Sequence, residues 1–157
     1  MKIKWLVTGK TDDKCIAALT KKYLDRLHRW VKIDYMELPD IKQTRNMPPE
    51  IRKEKEGQML LKYIRPGDYV ILLDEKGKEY TSEQWAGRLE KLTLHTSGSL
   101  CFLTGGAYGF SEAVYRRANE KLALSRFTFS HQLVRVIFAE QLYRAISIIK
   151  GFPYHNA

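Results

Sequence analysis

The chain is poor in cysteine, in proline and in long hydrophobic runs. Its 157 residues include two cysteines, Cys15 and Cys101, 86 positions apart and outside any CxxC or Cys/His pattern. That excludes a disulfide-built scaffold and offers no zinc spacing. Two free thiols in a reducing compartment are the plainer expectation, with one bridge between them the other arrangement the sequence allows. Five prolines and ten glycines are too few for a collagen-like or low-complexity chain. No uninterrupted apolar run approaches the ~18 residues of a membrane helix, and the apolar stretch after Met1 is too short for a signal peptide. Neither GxGxxG nor GxxxxGKS/T occurs, so a Rossmann phosphate cradle and a P-loop are both unsupported. No carboxylate–histidine metal spacing is present either. The last shortage is of acid: 18 Asp and Glu stand against 27 Lys and Arg, a net charge of +9.

What remains is a globular profile, 44% hydrophobic, 11% aromatic and 29% charged. The length suits a single domain, residues 1–157, with an ordinary core. The basic excess predicts a polyanionic partner, nucleic acid before membrane. It is uneven: residues 1–65 hold 16 basic and 9 acidic side chains, residues 66–157 only 11 and 9. Docking therefore belongs to the front half.

Periodicity organises the chain into alternating strands and helices. Lys2–Val7 reads as a strand ending at Gly9. Thr11 offers a helix N-cap, with Asp12 and Asp13 in the first turn. The helix that follows keeps Ile16, Leu19, Tyr23, Leu27 and Trp30 on one arc and Lys14, Lys21, Lys22, Arg26 and Arg29 on the opposite one. Val31, Ile33 and Tyr35 alternate as a second strand. After a loop from Pro39 to Pro49, Pro48-Pro49 opens a charged helix to about Ile64. Tyr69–Leu73 and Leu100–Leu103 are short continuous apolar runs of the kind buried in parallel sheets. Between them lie a loop, Asp74–Tyr80, and a helix capped by Thr81 or Ser82. Ser111 caps a short helix, Leu122–Phe129 is a last extended segment, and His131–Lys150 is a long helix. Such alternation predicts an α/β fold with a mainly parallel sheet flanked by helices.

Ligands in open α/β sheets bind beyond the C-terminal ends of strands. Three such ends carry candidates: Leu73-Asp74, Gly105-Gly106 and Leu124–Phe129. Gly105, Gly106 and Gly109 allow close backbone approach to a ligand, although an ordinary strand-to-helix turn would use them equally well. In the last helix, twelve of the twenty residues from His131 to Lys150 are apolar and nearly surround the axis. A helix apolar on most sides is buried on most sides, which predicts one face on the sheet and another on a second subunit, a homodimer. Charges set in such a helix, Arg135, Glu140 and Arg144, must be paired or functional. His131 at its start, and Tyr154 and His155 in the tail, complete the candidates.

These residues together resemble the bacterial 23S ribosomal RNA pseudouridine N3-methyltransferase family (RlmH), small members of the SPOUT superfamily. The similar stretches are Lys53-Glu54-Lys55-Glu56-Gly57-Gln58, Leu72-Leu73-Asp74 with Gly77-Lys78, and Leu103-Thr104-Gly105-Gly106-Ala107-Tyr108-Gly109. Leu122–Phe129, His131–Val136, Glu140–Ala145 and the ending Pro153-Tyr154-His155 follow the same pattern. Ala107-Tyr108 departs from the non-aromatic pair common in the family.

The resemblance implies a trefoil knot in the C-terminal part, about 70–150, and S-adenosyl-L-methionine as methyl donor. Carried over residue by residue, it implies cofactor contacts at Leu73, Gly105, Leu124, Ser125, Arg126, Phe127, Thr128 and Phe129. His131, Arg144, Tyr154 and His155 become candidates for catalysis, with Glu140 orienting Arg144. The implied partner is 23S rRNA, free or in the ribosome, in the cytoplasm. A non-catalytic basic RNA-binding module and a SPOUT methyltransferase acting on transfer RNA are the alternatives.

Overall fold

A computed structural model describes residues 1–156; Ala157, at the end of the tail discussed above, lies outside the described residues. Five strands, β1 (Lys2–Thr8), β2 (Lys32–Leu38), β3 (Tyr69–Lys78), β4 (Leu100–Thr104) and β5 (Glu120–Leu122), form one sheet in the order β2-β1-β4-β3-β5. Every pairing is parallel, as the continuous apolar runs require. The helices are α1 (Lys14–Leu27), α2 (Pro49–Leu61), α3 (Ser82–His95), α4 (Glu112–Arg117) and α5 (Leu133–Lys150).

Alternate strand residues feed two cores. Ile3, Trp5, Val7, Ile71 and Phe102 pack with residues of α1, α3 and α5, including Leu89, Phe138, Leu142 and Ile146. Leu6, Val70, Leu72, Cys101 and Leu103 pack on the other face with Leu60 of α2 and Val114 of α4. Both cysteines are free thiols; burial raises the Cys101 thiol to about 12, which makes it inert.

The structure corrects several expectations. Asp13, not Thr11, caps α1, its carboxylate accepting from the Cys15 and Ile16 amides; Thr11 is drawn instead to Glu37 and Arg135. Leu19 and Trp30 of the expected apolar arc stay 40% and 44% exposed, and Thr20 and Leu24 take the buried face. The expected loop at Asp74–Tyr80 is mostly the continuation of β3 to Lys78. Leu122–Phe129 is not a strand: β5 stops at Leu122, and the chain then runs irregularly to α5, which begins at Leu133 rather than His131. The apolar character of Leu122, Leu124 and Phe129 reflects a loop folded over the sheet end, while Phe127 stays exposed. Thr81 caps α3 in a capping box with Gln84, and Ser111 caps α4, as the spacing predicts.

At the opposite, N-terminal end of the strands, Asp68 ties three segments together. Its carboxylate accepts from the Arg65 and Ser99 amides and from Lys4 Nζ at 3.0 Å, with 3% of the side chain exposed. Burial alone would raise this carboxyl, but those donors hold it below its ordinary 3.8. A depressed folded-state value means the stabilisation is complete above the ordinary value and is lost as pH falls through the folded one. Asp68→Ala is expected to cost about 2–3 kcal/mol at neutral pH, because it strands buried donors. Urea unfolding at pH 7 and pH 3 checks this: the deficit should shrink at the lower pH.

Candidate functional site

The sheet register brings Leu73, Thr104 and Leu122 side by side, at the C-terminal ends of β4 and β5 and at the point of β3 after which its register with β5 shifts. Beyond them lies a cavity of about 500 Å³, within the range of small-molecule and cofactor sites. Three chain segments wall it: Leu73–Lys76, the glycine turn Thr104–Phe110, and the irregular segment that follows β5, through Ser130 and His131 to Val134.

The glycine turn is tight. Gly109 donates to the Gly106 carbonyl at 3.1 Å, and its φ of +82° suits glycine. Behind it stands Glu56, 5% exposed, so that a Cβ added at Gly106 would lie 2.8 Å from Glu56 Oε2. The facing segment is pinned to β3: Ala123 N donates to the Lys78 carbonyl, Thr128 Oγ1 to Glu75 at 2.5 Å, and Arg126 Nε to Glu79 at 3.0 Å. Tyr115 donates to Asp74 at the cavity edge; burial and that carboxylate push its phenol up to about 12, so it remains a donor.

Of the residues implied for the cofactor, Leu73, Gly105, Leu124, Ser125, Phe127, Thr128 and Phe129 all line this one cavity. Arg126 does not; its guanidinium turns out to solvent, 88% exposed, and pairs with Glu79. His131 lines the cavity, exposed at its rim.

Arg144, Tyr154 and His155 are elsewhere. Val134 is the α5 residue at the cavity, and Arg144 lies ten residues further along the helix, about 15 Å by helical rise. There Arg144 donates to Glu140 at 2.5 Å and lies over the Tyr154 ring, 4.9 Å from its centroid. Tyr154 donates to Glu140 at 3.1 Å and meets Tyr23 of α1 at 3.4 Å. His155 touches Arg144 through Nδ1 at 3.2 Å and Glu83 of α3 through Nε2 at 2.8 Å. Arg144 can only donate, so Nδ1 accepts and the ring proton sits on Nε2. The hydrogen bond from His155 lowers the Glu83 carboxyl to about 2. The bond to Glu140 raises the Arg144 guanidinium further, and burial with the Tyr23 and Glu140 contacts raises the Tyr154 phenol. The tail is thus docked rather than frayed, and both Arg144 and Tyr154 present protons at neutral pH.

Sequence reasoning placed Arg135 among charges needing a partner without finding it. The guanidinium is fully buried and donates to the carbonyls of Thr8, Gly9 and His131 and to Thr11 Oγ1, at 2.7–3.1 Å. Burial lowers it from its ordinary value, countered by Tyr35 and Glu37; at 4.0 Å, Glu37 is at the limit of an ion pair, so neutral oxygens do most of the holding. The partners are main-chain carbonyls, which no side-chain pattern announces. Glu56 was legible only as part of the Lys53–Gln58 stretch.

A cofactor-sized cavity thus lies at parallel-strand ends, walled by a glycine turn, in a chain without the Rossmann pattern. The family described as "Predicted SPOUT methyltransferase" matches residues 1–155, which makes the chain a SPOUT methyltransferase. Proteins named Ribosomal RNA large subunit methyltransferase H are 48% identical in Parabacteroides distasonis, 46% in Christiangramia forsetii and 42% in Bacteroides fragilis, each over 156 residues and 99% of both chains. The chain belongs to that methyltransferase H family.

Arg135→Met is expected to cost about 3 kcal/mol, since buried carbonyls lose their donor. That lowers the melting temperature by about 6–12 °C, readable by scanning calorimetry. Arg135→Lys should recover only part, lacking the planar fork.

Proposed function

We propose that the protein methylates N3 of a pseudouridine in 23S ribosomal RNA, in the cytoplasm, on the large subunit or the assembled ribosome. The observation that carries this is the convergence of the three strand ends on one cavity, joined to the names and full-length similarity of the relatives. The residues present fit S-adenosyl-L-methionine: an apolar floor at Leu73, Leu122 and Leu124, a glycine turn with no room for side chains at Gly106, and polar groups at the rim. Leu73, Gly105 and the Leu124–Phe129 segment would hold it. When bound, it supplies an electrophilic sulfonium methyl.

The chain's residues then have two tasks. The cavity wall fixes the angle and distance of approach, where orientation yields much of the rate. The imide proton at N3 must leave, and the resulting anion must be held. His131, at the rim, is placed to accept that proton. Arg144 and Tyr154, both protonated, stabilise the anion, and Glu140 with His155 orients Arg144.

Within one chain these donors are too far from the cavity. We therefore infer a homodimer in which the Arg144–Tyr154–His155 cluster of one protomer completes its partner's cavity. The half-exposed surface of α1, α5 and the tail supports that reading: Trp30 packs at a tilt on Phe152, ring centroids 3.8 Å apart, Tyr143 meets Tyr154 edge-on at 4.7 Å, and Leu19 of α1 is exposed. The C-terminal trefoil knot belongs to the same proposal, favoured by the return of the chain from β5 at the sheet edge to α5, packed between α1 and α3. The basic residues of 1–65 dock the rRNA.

Calorimetry should show S-adenosyl-L-methionine binding to the wild type and none to Gly105→Trp, with the fold retained by circular dichroism. Wild type should transfer a radiolabelled methyl group to ribosomes from a strain lacking the enzyme; no transfer to 23S rRNA would refute the assignment. Arg144→Ala and Gly105→Trp should each be inactive alone. Refolded together in equal amounts, they should regain about a quarter of wild-type activity, since half the dimers then carry one intact composite site. A cluster acting within its own chain would give no recovery.

A further inference from the structure

Ala107-Tyr108 forms the exposed tip of the glycine turn, closed by the Gly106–Gly109 pairing. Tyr108 is one of the exposed large aromatics of the chain. The Arg52 guanidinium of α2 stands 5.7 Å from its ring centroid, and the residue remains 50% exposed while lining the cavity. Arg52 is itself fixed: its Nε donates to Glu56 Oε1 at 3.1 Å. Glu56 Oε2 is buried against Gly106 without a hydrogen-bond partner among the described residues. One helix thus holds the turn at two points, Glu56 at its base and Arg52 at its tip. Across the cavity the side chain of Phe127 is 81% exposed.

We propose that Tyr108 is a stacking platform for an unpaired base of the RNA substrate at the cavity mouth, with Arg52 a positioning residue behind it. The inference rests on the ribosomal RNA reading above. A base whose edge is to be modified must leave its stack, and proteins replace the lost stacking with aromatic faces. The occupant is a base of the substrate rather than the cofactor's adenine because the ring sits at the outer tip of the turn. The apolar floor at Leu73, Leu122 and Leu124 lies at the strand ends instead.

The test measures filter binding of large ribosomal subunits from a strain lacking the enzyme, without cofactor, over a range of salt, alongside calorimetry with S-adenosyl-L-methionine. Tyr108→Ala is expected to weaken subunit binding about tenfold, the scale of one base–aromatic stack. The slope of affinity against salt should not change, since no phosphate contact is lost. Cofactor affinity should be unchanged, and Tyr108→Trp should restore subunit binding. Arg52→Met should weaken binding beside Tyr108 and add nothing in the Tyr108→Ala background. Unchanged subunit binding by Tyr108→Ala would overturn the proposal, as would a parallel loss of cofactor affinity, which would place the ring on the cofactor. Additive effects of the two substitutions would overturn the role of Arg52. If the wild type neither binds subunits nor methylates 23S rRNA, the ribosomal reading itself falls; if it does both and Tyr108→Ala does so equally, only the stacking inference falls.

Discussion

The guanidinium of Arg135 is the constraint on which the site's geometry depends. It is wholly desolvated, and a charge removed from water survives only when it is paired and hydrogen-bonded. Here the acceptors are the carbonyls that end β1, the hydroxyl of Thr11 and the carbonyl of His131. The interaction therefore locks the first strand of the sheet to the start of the last helix, across more than 120 residues of sequence. His131 owes its place at the cavity rim to this anchor. So does the path of the segment from Ala123 to Ser130, which must reach that helix start from the far edge of the sheet.

Charge is unevenly divided along the chain. The front half is strongly basic and supplies α1 and α2. The nearly neutral back half supplies the cavity, whose carboxylates accept from neighbouring hydroxyls: Glu75 from Thr128 and Asp74 from Tyr115. The glycine turn is where the halves meet, because Arg52 and Glu56 of α2 reach it from the basic side.

Most of the secondary structure was legible because apolar spacing and capping chemistry are local. Trp5 and Phe102 fall on one sheet face and Leu6 and Leu103 on the other simply because strand side chains alternate. Reading failed where tertiary contacts overrode local preference. Thr11 is a sound N-cap residue, yet its hydroxyl found Glu37 and Arg135 and left the cap to Asp13. Leu124, Phe127 and Phe129 look like a strand, but Leu124 and Phe129 fold over the end of the sheet, Phe127 stays exposed, and no strand pairs with them among the described residues.

The sequence by itself determined the class: a parallel α/β domain, basic in front, with candidate ligand-binding residues at the ends of three strand segments. It also carried the family, since the matching stretches span the chain. Only the tertiary structure decided which candidates share a site. Seven implied cofactor residues close one cavity, Arg126 leaves it, and the Arg144–Tyr154–His155 cluster is about 15 Å away along α5. The physical reason is that spacing along a chain fixes a face of a helix or strand, while the distance between two faces depends on what packs between them.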